Sequence, residues 1–205
     1  MTTPRDLTIT ALERAAERSV EPGDLSLALA AAEAIDLLPA GAVTLAGDRL
    51  VPAGHPAITD HLLAEAASAL LREAPYETVG DWLWRRGRNL ADTYLTRLEA
   101  EGELVREQRR RWLFLHSDHV VLADSPTRRG AAARLAADEP VLAALTRAIG
   151  FRGGPAADAA PDVTDRAAAR VLTALDDALA ELAAERKRRS HRQADAAAEN
   201  VRRGY

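Results

Sequence analysis

Apolar and polar positions alternate in two registers along this chain, and the helical register dominates. From Leu7 to Arg18, from about Asp24 to Leu38 and from about Thr59 to Arg72, apolar residues recur three and four apart, which predicts amphipathic helices. A longer helix is predicted from the Pro75–Thr78 segment to about Ala100, broken or kinked near Gly87. Two shorter ones follow over 128–136 and 140–149. A final helix of about 25 residues is predicted from a Thr164 cap, its dry face formed by Val171, Leu172, Leu175, Leu179 and Leu182. The strand register occurs twice. Ala42 to Val51 alternates around Gly47-Asp48, a hairpin signal. A second hairpin is predicted between roughly Leu104 and Leu122. The expected fold is mainly α: a single globular helical domain with two short β-hairpins over residues 1–185. A basic, flexible tail is expected from 186 to 205.

Composition sharpens this picture. Apolar residues make up 47% of 205, but aromatics only 4%, so the core is an Ala/Leu core that favours helix. There are no cysteines, which removes disulfides, thiolate metal sites and thiol nucleophiles. No apolar run approaches the roughly 18 residues that span a bilayer, and the polar N-terminus does not read as a signal peptide. A cytoplasmic protein is expected, with possible peripheral placement on the cytoplasmic face of a membrane. Net charge is −4, unevenly spread. Residues 1–84 hold 5 Lys/Arg against 13 Asp/Glu, whereas 85–111 hold 8 Arg against 5 acids and 186–205 hold 7 basic residues against 2 acids. Localised positive charge on an acidic body steers association with anions.

Candidate chemistry concentrates where basic and aromatic residues meet. Arg109, Arg110 and Arg111 run directly into Trp112, Leu113, Phe114 and Leu115. Cations beside an apolar strip suit a layer of anionic headgroups over hydrocarbon. Earlier, Trp82 and Trp84 precede Arg85 and Arg86; one Trp at least is expected in the core. Arg85 and Arg88 are three apart and can share a helix face. Catalysis finds no support. No P-loop or nucleophile motif is present, and Asp138-Glu139 and Asp176-Asp177 are neighbours that point apart on a helix. His116 and His119, with Asp118 and Asp124 near, suggest a metal, but strand positions three apart face opposite ways. No enzyme activity, no metal and no cofactor are therefore expected.

Several segments, in order, resemble the Golgi phosphoprotein 3 family. PRDLTITAL is similar to its PxDLLLLAL start, AIDLLPAGAVTLAGDRLV to its helix-to-hairpin segment, and PAGHPAITDHLLAEA to its PTGDPLLDxAL loop and helix. ETVGDWLWRRGRNLADTYLTRLEAEGELVREQRRRWLFL resembles its long helix and second hairpin. The resemblance covers about residues 4 to 185. It implies a helical core and a peripheral membrane role, since eukaryotic members bind phosphatidylinositol 4-phosphate. It also implies a headgroup pocket of one Trp and three Arg, and a protruding apolar hairpin that inserts in membrane and supports self-association. Carried onto this chain, the Trp position falls on Glu21, its Arg partner on Ala30, and the paired arginines on Arg88 and Ala91. Arg88 alone is kept. The expected lipid-headgroup residues are thus Arg88, Arg85, Arg109, Arg110 and Arg111, with Trp112, Leu113, Phe114 and Leu115 at the membrane interface. Expected partners are an anionic phospholipid or phosphoinositide surface and, through the 104–122 hairpin, a second copy. A winged-helix DNA binder, with helix 88–101 and hairpin 104–122, is the alternative. Asp92, Glu99 and Glu101 oppose it by repelling phosphate.

Overall fold

An Ala/Leu helix forms the axis of the molecule. In the computed structural model, which describes residues 2–54, 56–107, 119–151 and 163–203, helix α1 (Thr3–Glu13) precedes this axis, α2 (Pro22–Leu37). Pro22 presets the first-turn φ and gives up no bonded N–H, so α2 begins before the expected Asp24. Its residues Leu27 through Ala34 are all buried, and a helix apolar on every side must be wrapped by others. Helices α1, α3 (His61–Ser68), α4 (Val79–Arg86), α5 (Leu90–Ala100), α7 (Pro140–Ala148) and α8 (Arg166–Arg203) all pack on it. Helix α6 (Pro126–Ala136) packs on α1 and α7. One large cluster around Leu7, Leu29, Leu37, Trp82, Leu83 and Leu142 forms the core; a smaller one joins Ile9, Leu98, Leu104 and Ala131.

Both hairpins form. Strands β1 (Val43–Ala46) and β2 (Arg49–Pro52) pair antiparallel with Ala46 opposite Arg49, so Gly47 and Asp48 make the turn. Gly47 has φ 68°, the left-handed conformation that such turns require of their first central residue. Strands β3 (Leu104–Glu107) and β4 (His119–Leu122) pair with Leu104 opposite Leu122. The β1–β2 turn is tied to the approach to α4, where Leu50 N–H donates to Glu77 O (3.0 Å) and Val79 N–H to Asp48 O (2.8 Å).

Helix ends follow their caps. Asp60 caps α3 by accepting from Leu63 N–H at 2.9 Å, and Ser125 caps α6 by accepting from Arg128 N–H at 3.1 Å. Helix α1 starts four residues before the expected Leu7, because Thr2 is extended and Pro4 sits in the first turn. The expected break near Gly87 separates α4 from α5. Helix α8 continues through the basic stretch that was expected to be a tail. Between 183 and 199 nearly every residue is a good helix former, and Glu185 pairs with Arg188 at 2.9 Å and Arg189 at 2.8 Å along the helix.

Candidate functional site

The basic segment at the α4–α5 corner is built by buried pairings that spend most of its cations. Thr78 caps α4: its Oγ1 accepts from Asp81 N–H at 3.0 Å and donates to Asp81 Oδ2 at 2.7 Å. The turn that follows sends Trp82 inward and Trp84 outward. Trp82 is fully buried and donates from Nε1 to Ala30 O at 2.9 Å, whereas Trp84 is 38% exposed. The expectation that one Trp is core is met by Trp82.

Arg85 is held by Glu77 and the Ala69 carbonyl, with part of its side chain in solvent. Its Nε donates to Glu77 Oε2 (3.0 Å), and its terminal nitrogen donates to Glu77 Oε1 (2.6 Å) and Ala69 O (3.0 Å). The guanidinium also lies 5.4 Å from the Trp82 ring centroid. Arg86 is turned inward, donating bidentately to Glu33 at 2.7 and 2.8 Å, while Tyr94 OH donates to the same carboxylate at 3.1 Å. Glu33 is completely buried. Desolvation pushes its carboxyl above the usual range, with the Arg86 fork and the Tyr94 hydroxyl acting against that rise. Desolvation works to lower Arg86, but its bonds to Glu33 outweigh this and raise it. Tyr94 is raised by burial and by the Glu33 charge. This buried triad joins α2, α4 and α5 and sets the corner's geometry.

Arg88 is the cation left over. Gly87 closes α4 against α2 so tightly that a Cβ there would lie 2.5 Å from Leu83 O and 3.3 Å from Ser26 O. Asn89 then takes a left-handed φ of 55° before α5. Arg88 and Asn89 project from this corner and are exposed, and Arg88 has no hydrogen bond or ion pair among the described residues. Because the helix breaks between them, Arg85 and Arg88 do not share a continuous helical face.

The remaining pocket positions implied by the family pattern are not open. Ala30 and Ala91 are core residues, the first receiving Trp82 Nε1 at its carbonyl, the second donating its N–H to Ser26 Oγ at 3.0 Å. Glu21 is the exposed N-cap of α2. Arg109, Arg110, Arg111, Trp112, Leu113, Phe114 and Leu115 lie outside the described residues, between β3 and β4. No group of three or more His, Asp or Glu arranged to hold a metal occurs among the described residues. Among the described residues no helix is long and apolar enough to cross a membrane.

Sequence reasoning missed the two acids that absorb the arginines. Glu33 was legible as the lone charge between Leu25 and Ile35, since a carboxylate in such a run needs a buried partner. Glu77 carried no comparable signal.

An α2-centred helical body with two antiparallel hairpins, the second following directly on α5, defines the class. A family model described as Golgi phosphoprotein 3 (GPP34) matches residues 4–203. The chain belongs to that family. No curated protein and no solved structure matches it.

Proposed function

We propose that this chain is a non-enzymatic protein that associates peripherally with anionic membrane surfaces, on the cytoplasmic face. The observation that carries the reading is the corner Trp84–Arg88. There an exposed indole is followed four residues on by an exposed, unpaired guanidinium, while the intervening Arg85 and Arg86 are held by Glu77 and Glu33. An indole prefers the interfacial layer, and a free guanidinium forks onto phosphate. The segment Arg109–Leu115 supplies the larger share of charge and apolar surface in this reading. Each basic residue near an anionic surface contributes about 1 kcal/mol.

The proposed ligand is anionic headgroup chemistry in general rather than one phosphoinositide isomer. Two of the family's pocket positions are packed alanines, so the paired forks that recognise a phosphomonoester are not assembled around Arg88. The DNA-binding alternative gains nothing, because the exposed positions of α5 include Asp92 and Glu99. Co-sedimentation with phosphatidylcholine vesicles, with and without phosphatidylserine, tests the reading. Binding should require phosphatidylserine and weaken in Arg88→Glu. Equal binding to neutral vesicles, or none to either, refutes it.

A further inference from the structure

Helix α8 changes character along its length without changing its course. Its first half packs on the body through Ala168, Val171, Leu175 and Ala178. From Lys187 to Glu199 every residue is exposed, so about 25 Å of helix runs beyond Arg186 with no body beneath it. The charge reverses at the same place. Residues 165–185 carry Asp165, Asp176, Asp177, Glu181 and Glu185 against two arginines, whereas 186–203 carry seven basic residues against Asp195 and Glu199. A solvated helix that is polar all round gains little from packing, and this one is laid out as two opposite charges.

Both charges also fall on one stripe. Arg170, Thr173, Ala174, Asp177 and Glu181 recur three and four apart, and the same stripe continues through Ala184, Arg188 and Arg192. Its acidic half forms one wall of a cleft of about 640 Å³ whose other walls include the Gly47-Asp48 turn and the exposed Trp84. Asp48, Asp177 and Glu181 enter no ion pair among the described residues, and Arg170, the cation of this cleft, donates to Gly47 O at 3.1 Å. The basic half holds excess positive charge, because Arg188, Arg189 and Arg192 share the single carboxylate of Glu185.

From this geometry we infer that two copies of the chain pair through antiparallel α8 helices, the basic half of each lying along the acidic, Trp84-lined cleft of the other. A two-fold axis between Ala184 and Glu185 sets Asp177 opposite Arg192 of the partner subunit and Glu181 opposite Arg188 of the partner subunit. The same register sets Arg170 opposite Glu199 of the partner subunit. All these positions lie on the shared stripe, and no other spacing is needed to satisfy them. Ala184 beside the axis is small enough for close helix approach, and Trp84 offers its ring to an entering guanidinium. The contact is isologous and therefore closes at two copies. It uses a different surface from the 104–122 hairpin and does not depend on lipid binding.

Sedimentation velocity on the full chain tests this with a charge swap. In low-salt buffer the wild type should sediment at twice its 22.0 kDa mass and dissociate in about 0.5 M salt. Asp177→Arg/Glu181→Arg and Arg188→Glu/Arg192→Glu should each give monomers, and the fourfold swap should restore the dimer. Circular dichroism confirms that these exposed substitutions leave the helices intact. Ala184→Cys, in a chain with no cysteine, should crosslink rapidly between copies, and Ala197→Cys on the opposite face should not. A wild type that stays monomeric in low salt, or a dimer that survives both half-swaps, overturns the inference.

Discussion

Removing Arg86 isolates a carboxylate that the fold cannot hydrate. Glu33 is completely buried, its partner Arg86 has a side chain only 16% exposed, and their two hydrogen bonds measure 2.7 and 2.8 Å. In Arg86→Met the carboxylate keeps the Tyr94 hydroxyl alone. Breaking one side of such a pair costs about 3–5 kcal/mol, a fifth or more of the roughly 5–15 kcal/mol that holds a domain together. The penalty depends on pH in a definite direction. Without Arg86 the folded-state affinity of Glu33 for a proton rises further above its unfolded value. The variant therefore regains stability as pH falls through that raised value, at about 1.4 kcal/mol per unit. Urea denaturation, followed by the fluorescence of buried Trp82, should show the large loss at pH 7 and a smaller one at pH 5. Glu33→Leu/Arg86→Met discards both charges and leaves an unpaired Tyr94 hydroxyl, so its loss should be about 1–3 kcal/mol. The reasoning is refuted if Arg86→Met loses less than about 1 kcal/mol at pH 7, or if its loss is the same at both pH values.

Other consequences follow from single sites. Gly87→Ala places a Cβ 2.5 Å from Leu83 O; denaturation should show a loss of about 1–3 kcal/mol, and an unchanged midpoint would contradict the packing at this corner. Thr78→Ala removes the α4 cap and should cost about 1 kcal/mol by the same assay. Asp36 is raised by burial, opposed by the Thr3 contacts and helped by the nearby Asp6 charge; Asp6 is itself raised by burial, against Arg134. Both hold protons more tightly folded than unfolded, so thermal stability should rise as pH falls through their raised values, the gain ending near the unfolded pKa of about 3.9. Asp36→Asn keeps an acceptor for Thr3 N–H and should flatten that rise; an unchanged pH slope counts against it.

Periodicity made the helices and both hairpins legible, because 3.6- and 2-residue patterns report directly which face is buried. It misplaced ends where a cap or proline decided them, as at Pro4 and Pro22. It also stopped α8 short, since the stretch after Arg186 has no apolar stripe; its helix rests on propensity and Glu185–Arg pairing. At the site the limit was different. Runs of charge in sequence do not say which cations are already neutralised. Arg85, Arg86 and Arg88 look alike as a string, yet Glu77 and Glu33, brought in from 8 and 53 residues away, claim the first two. Only three-dimensional pairing separates a structural arginine from a free one.

In the proposed function, charge on the Arg109–Leu115 segment, aided by Arg88, draws this protein onto anionic membranes. Flotation with phosphatidylserine-containing vesicles tests it most directly, comparing the wild type with Arg109→Ala/Arg110→Ala/Arg111→Ala. Losing three cations should cost about 3 kcal/mol, on the order of a hundredfold in affinity. Salt should weaken the wild type more than the variant. Wild-type protein that floats equally with neutral vesicles, or a triple variant that floats as well as the wild type, would contradict the account.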